Sequence, residues 1–406
     1  MNIFIAIIGL SLLVLVHEAG HFFSARAVGM SPRRFYVGFP PAIAKVKRKG
    51  IEYGIGAVPL GGYVKIPGMH RPAPSDLSTF FGQALEEAPQ LVAPIDRIKR
   101  KLDEGDMEGA RSQLPALADA LQHVDLSRMA RRAAEKGLNE LADGLGADAY
   151  WRQRTWKKVL VIFAGPGTNL LFAVILFATL FVVGSGGYRL GFTMETNTPM
   201  NAAIVHDVRA DHPAATIGLR PGDRILRING QRVQDVSEVP DLIQQSHGGP
   251  VTLVVRHKGD AEAVRLSPVR PRSEPKLSVP QATWQSVKLT GVITKEIGAS
   301  LSRLVRGNRK EVSSPVGIVE GSSEALAQGA QTYLWVLGLL SLSLALLNLL
   351  PFLPLDGGHI VFSLIEGIRG RAVGREVYER ASAIGIALVL LLFFIGLSND
   401  IGNLGN

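Results

Sequence analysis

The sequence contains no cysteine. It therefore has no disulfide framework, no zinc site built from thiolates and no thiol nucleophile. The chain also lacks a dense basic arm, because its lysines and arginines lie at the edges of apolar runs although the formal net charge is +9. This distribution disfavours nucleic acid as a partner and favours the surface of a lipid bilayer.

Charged residues are nearly absent from four long apolar segments, which we predict to be transmembrane helices. The first contains only Glu18, and the other three contain no Asp, Glu, Lys or Arg. Segments of this length can cross a hydrocarbon core of about 30 Å. The third segment runs into Pro351 and Pro354, which favour its termination there. The predicted spans are residues 1–25, 159–183, 332–355 and 381–398.

The first apolar segment lacks the basic residues that open a secretory signal peptide. Its first four residues, MNIF, include neither Lys nor Arg, although Ala25-Arg26-Ala27 resembles a cleavage site. Cleavage would also discard the only ionisable residues of the segment. We therefore interpret residues 1–25 as a retained transmembrane helix.

Basic residues flank the predicted spans unevenly. They cluster between the first and second spans, whereas only Arg189 lies near the end of the second span. Because cytoplasmic loops carry the excess of Lys and Arg, residues 26–158 are predicted to be cytoplasmic. Both termini and the region between the second and third spans are then extracytoplasmic, in a multi-pass protein of the cell membrane.

Two different regions make up the predicted cytoplasmic part. Residues 26–71 form a membrane-associated β-element, since residues 51–68 are rich in Gly, Tyr, Val and Ile and suggest a short hairpin. This element is either a connecting loop or a strand edge that pairs with an extended peptide. Residues 72–150 form a helical insert in which we find no catalytic chemistry. Its predicted amphipathic helices cover roughly residues 89–103, 106–123 and 125–145.

The predicted extracytoplasmic region begins with a compact α/β module over residues 199–270. Its core signal, IGLRPGDRILRINGQRV, has glycine turns around a buried strand. A helix over residues 239–245 and a strand over residues 250–259 follow. This pattern resembles a PDZ domain of bacterial envelope proteases. Residues 271–331 connect it to the third span and are polar and partly helical.

The first span carries two histidines and a glutamate where lipid favours apolar side chains. His17, Glu18 and His21 form the pattern H-E-x-x-H. His17 and His21 lie one helical turn apart, so both imidazoles can bind one Zn²⁺ ion while Glu18 acts as a general base. A charged residue at membrane depth costs at least about 2.5–3.5 kcal/mol, which metal binding would offset. The alternative is a polar pair facing the interior of a helix bundle.

A catalytic zinc ion takes three protein ligands, and the sequence offers two candidates for the third. The second span contains neither histidine nor a carboxylate. Asp356 and His359 follow the third span in a break rich in Pro and Gly, at a depth compatible with His17 and His21. The residues alone leave both candidates open.

Several motifs occur together in one order along the chain. They are HEAGH, PLGGYVKIPG, FAGPGTN, the PDZ-like pattern, VSSPVGI (residues 312–318) and NLLPFLPLDGGH. In this order they resemble the site-2 protease family of intramembrane zinc metalloproteases, specifically the bacterial regulator-of-sigma-E protease group with a PDZ domain. The insert over residues 72–150 departs from that pattern. The chain also has one PDZ signal where some members have two.

The resemblance implies roles for the residues that match. His17, His21 and Asp356 are implied to bind one zinc ion per chain, and Glu18 is implied to be the catalytic acid and base. This implication favours Asp356 over His359 as the third ligand.

A second group of matching residues is implied to meet the substrate. Asn348 is implied to contact the substrate backbone, and Asn169 to help shape the same site. Gly61, Gly62 and Tyr63 belong to the β-element that is implied to hold the substrate extended. For the two asparagines, hydrogen bonding between membrane helices is the alternative.

The sequence thus predicts a polytopic α-helical membrane protein with about four transmembrane helices, an extracytoplasmic PDZ-like α/β domain and a cytoplasmic helical insert. Its predicted function is zinc-dependent cleavage of single-pass membrane proteins, such as a pre-cleaved anti-sigma factor or signal-peptide remnants. A C-terminal peptide is a further expected partner at the PDZ-like domain. The alternatives are a non-catalytic scaffold that uses this domain and a metal or solute transporter.

Overall fold

The structure is a computed structural model that describes residues 2–184, 187–195, 202–306, 314–371 and 373–404. Its contacts divide the chain into two compact units. The first unit combines the residues up to Phe177 with those from Val287 onward, and the second is Ala178–Ser286. The second unit has a hydrophobic core of its own, and the first has several.

Four helices are long and apolar enough to cross a membrane, as predicted. The candidate spans are Asn2–Ala27, Thr155–Gly184, Ala330–Asn348 and Val377–Asp400. The helices that contain them are α1 (Asn2–Ala27), α7 (Thr155–Gly184), α12 (Ala330–Asn348) and α14 (Arg375–Leu404).

The third span is shorter than predicted, and the predicted bounds of 332–355 are wrong at their C-terminal end. Helix α12 ends at Asn348, and a turn leads into helix α13 (Asp356–Arg369). Pro351 and Pro354 lie in this turn and have no N–H to continue the helical ladder. The break therefore places Asp356 in the first turn of a new helix.

The β-element is a long bent hairpin made of β1 (Arg34–Arg48) and β2 (Ile51–Lys65). The sequence pattern located only its second half. The strands connect through Lys49 and Gly50, whose φ values of 49° and 81° are those of a tight left-handed turn. Residues 34–37 pair with residues 62–65 on one side and lie beside residues 52–55 on the other.

The insert is helical throughout and has its own core. Its helices are α2 (Pro74–Glu87), α3 (Val92–Asp103), α4 (Met107–Ser112), α5 (Leu114–Gln122) and α6 (Arg128–Leu145). The sequence pattern missed α2 and merged α4 with α5, which separate just before Pro115 at the start of α5. Buried apolar residues from all five helices form one cluster.

The second unit contains short strands and two short helices around one apolar cluster. The predicted strand, helix and strand correspond to β6 (Arg224–Ile228), α9 (Glu238–Gln244) and β8 (Leu253–Arg256). The strand order in the largest sheet is β7-β6-β8-β9. The other elements are β3 (Gly187–Arg189), β4 (Phe192–Met194), β5 (Val205–Val208), α8 (Pro213–Thr216), β7 (Gln231–Arg232), β9 (Val264–Arg265) and β10 (Arg272–Glu274).

Two helices, α10 (Val279–Val305) and α11 (Pro315–Gln328), occupy much of the predicted connecting segment. Ser314 caps α11, because its hydroxyl accepts a hydrogen bond from the N–H of Val316. The carboxylate of Asp400 accepts from the N–H groups of Ser314 and Gly317. The first two residues of the VSSPVGI motif lie outside the described residues.

Candidate metal centre

Helix α1 brings the two histidines together on one buried face. His17 and His21 are each 7% exposed, and their Nε2 atoms lie 3.2 Å apart. The four-residue spacing places both rings on the side of α1 that contacts other helices. This geometry is what the H-E-x-x-H pattern predicted.

Asp356 joins the two histidines from the first turn of α13. Its Oδ2 atom lies 3.1 Å from Nε2 of His17 and 3.3 Å from Nε2 of His21. The next two positions require glycine. An added Cβ at Gly357 would overlap carbonyl oxygens of the preceding turn, and an added Cβ at Gly358 would overlap other backbone atoms of the same turn. The start of α13 therefore packs tightly against the turn that precedes it, and this packing directs the side chain of Asp356 toward α1.

The three side chains fit a zinc ion. Their ligand atoms all lie within 4.8 Å of one another. Ligand atoms of a tetrahedral zinc, each about 2.0–2.2 Å from the metal, lie roughly 3.4 Å apart, which matches the observed separations. Asp356 Oδ2 is buried and makes no hydrogen bond among the described residues. Buried charges are paired or coordinate metals, and a zinc ion held by the two imidazole nitrogens would compensate this carboxylate.

A second contact orients His21 toward the centre. Its Nδ1 lies 2.9 Å from the backbone oxygen of Val161 in α7. A carbonyl oxygen can only accept, so Nδ1 carries the proton and Nε2 presents its lone pair to the metal position. Sequence analysis missed Val161, because the interaction uses only its backbone.

His359, the rival third ligand, is directed away from the centre. Its Nδ1 lies 3.4 Å from the hydroxyl of Tyr378, and the two rings are 5.9 Å apart. The His70 ring packs edge-on against the same Tyr378. Among the described residues, the cluster able to hold a metal consists of His17, His21 and Asp356.

Helix α7 approaches the histidines through glycine. An added Cβ at Gly165 would overlap Nε2 of His21 and lie 2.9 Å from Nε2 of His17. On α1, an added Cβ at Gly20 would overlap the backbone of Ala164. The Thr168 hydroxyl donates to the carbonyl of Val16 at 3.0 Å and fixes the contact between the helices. The FAGPGTN motif contained this signal, since its glycines allow close helix packing.

We predict that Gly165→Ala removes zinc without unfolding the protein. The new methyl group would occupy the space in front of both imidazole Nε2 atoms. Zinc content, measured by mass spectrometry of purified protein, should fall together with proteolysis. Gly167→Ala is the matched control, because its Cβ meets only the Phe163 ring, at 3.3 Å. Equal zinc contents of the two variants would contradict the prediction.

Glu18 lies between the histidines and the edge of β2. Its carboxyl is in hydrogen-bonding range of the backbone N–H of Val64. An ideal Cβ at Gly62 would lie 3.3 Å from Cγ of Glu18. The nearest atom to that Cβ is the carbonyl oxygen of Tyr36, at 2.7 Å, so the paired strand excludes a larger residue at Gly62 and keeps the space beside Glu18 clear.

The other predicted substrate residues have different surroundings. Asn348 donates to the carbonyl of Leu344 in its own helix at 3.0 Å. Asn169 is fully buried, and neither polar atom of its side chain has a hydrogen-bond partner among the described residues. It lies one turn after Gly165 on the same face of α7. The alternative for Asn169 was a hydrogen bond between membrane helices. Its backbone oxygen, not its side chain, makes such a bond, because it accepts from the hydroxyl of Ser341 at 2.8 Å.

Gly61 and Tyr63 build the hairpin around the strand edge. An added Cβ at Gly61 would overlap the ring of Phe39. The ring of Tyr63 stacks on that of Tyr36 with a centroid distance of 5.1 Å and an interplanar angle of 8°. These contacts shape the β-element beside Glu18.

Charged residues that sequence analysis missed connect the β-element to the insert. Nζ of Lys65 lies 2.8 Å from Glu140 and 2.9 Å from Asp143, and Nε of Arg33 lies 2.7 Å from Asp143. Burial lowers the pKa of the Lys65 ammonium, but its hydrogen bonds to Glu140 and Asp143 outweigh burial and raise it. These pairs hold the end of β2 against α6.

Comparison with known proteins identifies the family. The sequence matches the model of peptidase family M50 over residues 5–392. The chain belongs to peptidase family M50. The zinc metalloprotease RasP of Geobacillus kaustophilus is 27% identical to this M50 protease, over 96% of this chain and 95% of the relative. The regulator of sigma-W protease RasP of Bacillus subtilis is 26% identical, over 97% and 96% respectively.

A solved structure of an HtrA-type protease with a decapeptide also shows similarity. It is 27% identical over 24% of this chain and 35% of its own, with a TM-score of 0.20. A superposition of that quality says nothing about the fold.

Family membership confirms the predicted activity and cofactor. The M50 protein is a zinc metalloprotease of the site-2 type, and its apolar helices agree with a multi-pass membrane protein. The scaffold and transporter hypotheses are thereby set aside.

Proposed function

We propose that this M50 protease cleaves single-pass membrane proteins within the bilayer at the centre formed by His17, His21 and Asp356. The observation that carries the proposal is the convergence of Asp356 on His17 and His21, two residues of a candidate membrane span, with Glu18 beside them. Next to Glu18 lies an edge of β2 that pairs with no further strand in the described part of the chain. A peptide bond in a membrane helix is shielded by its own hydrogen bonds, so cleavage requires water, a base and an unwound substrate.

Each part of the proposed centre has a distinct task. His17, His21 and Asp356 hold the metal, which when bound lowers the pKa of water toward about 7 and polarises a carbonyl group. Glu18 takes a proton from the attacking water and delivers it to the leaving amine. Its place between the histidines and Val64 suits this transfer, because the substrate backbone would lie along the same strand edge.

The edge of β2 would hold the substrate in extended form. Extended peptides add to exposed sheet edges through main-chain hydrogen bonds, and this pairing also unwinds a helical substrate. The chain's orientation, with residues 26–158 cytoplasmic, follows from the positive-inside rule and places this edge toward the cytoplasm. Asn348 and Asn169 are proposed to complete the substrate site.

The substrate class follows from the resemblance and from one relative. The Bacillus subtilis relative is named for regulation of sigma-W. We therefore favour a pre-cleaved anti-sigma factor or a signal-peptide remnant as the substrate. The second unit would act as an extracytoplasmic PDZ-like domain, which either binds a newly exposed C-terminus or limits the size of the remaining substrate.

Metal removal tests the proposed function. Purified protease in detergent should cleave a single-pass model protein inside its apolar segment, with the cut located by mass spectrometry. A chelator should abolish cleavage, and Zn²⁺ should restore it. Mg²⁺ serves as the control and should not restore it, because this hard cation favours oxygen ligands. Cleavage that resists chelation, or a cut outside the apolar segment, would contradict the proposal.

A further inference from the structure

A groove connects the edge of β2 to the helical insert. It has a volume of about 480 Å³, and its walls come from the end of β2, the turn that follows and helices α2 and α6. The residues that matter for its chemistry are Val64, Met69, Phe80, Lys136 and Leu141. The groove lies wholly within the first structural unit.

The groove continues the strand edge that passes Glu18. The carbonyl of Lys65 accepts from the N–H of Arg33 at 2.8 Å, so β alternation turns the N–H and C=O of Val64 toward the opposite edge. That edge faces Glu18. Within the described ranges, no strand other than β1 and β2 joins this sheet. A peptide that adds to the edge beside Glu18 therefore continues into the groove.

The walls of the groove are held in place by specific contacts. The ion pairs of Lys65 with Glu140 and Asp143 join β2 to α6. Helix α2 approaches α6 closely at Gly137, where an added Cβ would overlap the side chain of Phe80. Phe80 is thereby held against α6, where it lines the groove. The groove is thus a built feature of the insert.

The chemistry of the walls selects a type of peptide. Leu141 is buried, and Met69 and Phe80 are half-buried, so the floor is apolar. Lys136 is exposed at the rim and forms no ion pair with any carboxylate in the described part of the chain. Glu140, one turn further along α6, is already engaged by Lys65. The other carboxylate of the lining, Asp76, is buried and accepts from the N–H of Ala73 at 2.9 Å. The exposed rim of the groove therefore offers the cation of Lys136 beside an apolar floor.

We propose that this insert groove binds the cytoplasmic segment of the substrate in extended form, with an apolar side chain on the floor and an acidic side chain opposite Lys136. Antiparallel addition to an edge that runs from Gly62 to Lys65 directs the N-terminal side of the substrate into the groove. The inference rests on the proposed function and assigns the insert a role in substrate selection.

A charge exchange tests the inference. The probe is a single-pass model protein with an N-terminal cytoplasmic segment, in which Asp or Lys is placed in turn at each position before the cleavage site. At one position, Lys136→Glu should slow cleavage of the Asp substrate by roughly threefold to fivefold and favour the Lys substrate. Arg132→Glu is the matched control, because Arg132 is exposed on the same helix outside the groove. It should leave the Asp-to-Lys preference unchanged.

Crosslinking locates the substrate independently of rate. A photoreactive amino acid at position 136 of the Glu18→Gln protease should crosslink the substrate segment just before the cleavage site, and one at position 132 should not. The inference alone would be overturned if the unmodified protease cleaves the probes, Lys136→Glu leaves the Asp-to-Lys preference unchanged, and this crosslink does not form. Absence of cleavage of every probe would contradict the proposed function, and the inference with it.

Discussion

Glu18→Gln should keep its zinc and lose proteolysis. Glutamine preserves the size and one oxygen of the side chain but cannot take a proton from water. Loss of a general base costs roughly 10²- to 10⁴-fold in rate, and the loss here should reach the upper part of that range, because the same group serves the leaving amine. The side chains proposed to bind zinc, His17, His21 and Asp356, are unchanged, so zinc content should equal that of the parent protein.

The measurement combines zinc content with single-turnover cleavage of the model substrate. Glu86→Gln is the matched control, because Glu86 is exposed on α2; it should cleave at the parent rate. The role assigned to Glu18 fails if a folded, zinc-loaded Glu18→Gln protein cleaves as fast as the control. A variant without zinc would instead make Glu18 part of the metal site.

Asp356→Asn should lose zinc, whereas His359→Gln should keep it. The two residues are one helical turn apart at the start of α13, and both were open as third ligands from the sequence. In the structure Asp356 Oδ2 lies within 3.3 Å of both histidine nitrogens, whereas His359 contacts Tyr378. Asparagine retains the volume of aspartate but removes the charge that a cation between two neutral imidazoles requires.

Competition with a calibrated chelator measures zinc affinity in both variants. Loss of a direct ligand should exceed the roughly 10- to 100-fold drop in affinity typical of outer-shell changes. For His359→Gln we expect a drop in zinc affinity within that smaller range at most, because His359 lies one turn after Asp356 in α13. The reverse order of affinities would assign the third ligand to His359. Retained folding in both variants is checked by thermal unfolding in detergent.

The local sequence was sufficient for features that depend on one helix or one run of residues. The four apolar helices follow from hydropathy, because a span needs only length and composition. The approach of His17 and His21 follows from the helical repeat, because residues four apart must share a face. Family motifs supplied the activity and the metal, and family membership confirms both.

Features that depend on contacts distant in sequence were decided only by the tertiary structure. Asp356 and His359 were equivalent by position, and the break after Asn348 turns one toward α1 and the other toward Tyr378. Strand β1 carries two prolines and many exposed residues, so its pairing with β2 had little periodic signal. Helix α2 was overlooked although Leu77, Phe81 and Ala84 recur at helical spacing; what only the structure decided is that this face packs in the core shared with α6.

The sequence by itself determined which residues could form the site: two histidines and a glutamate within one apolar helix, and a candidate carboxylate after another apolar helix. Its motifs also indicated the family, in which such residues bind zinc. The tertiary structure decided which carboxylate reaches the histidines, that Gly165 leaves room for them, and that the end of β2 lines a groove together with the insert. The physical reason is the distance along the chain over which each signal acts. Helical periodicity acts over a few residues, whereas a metal centre and a substrate path form from segments that only packing brings together.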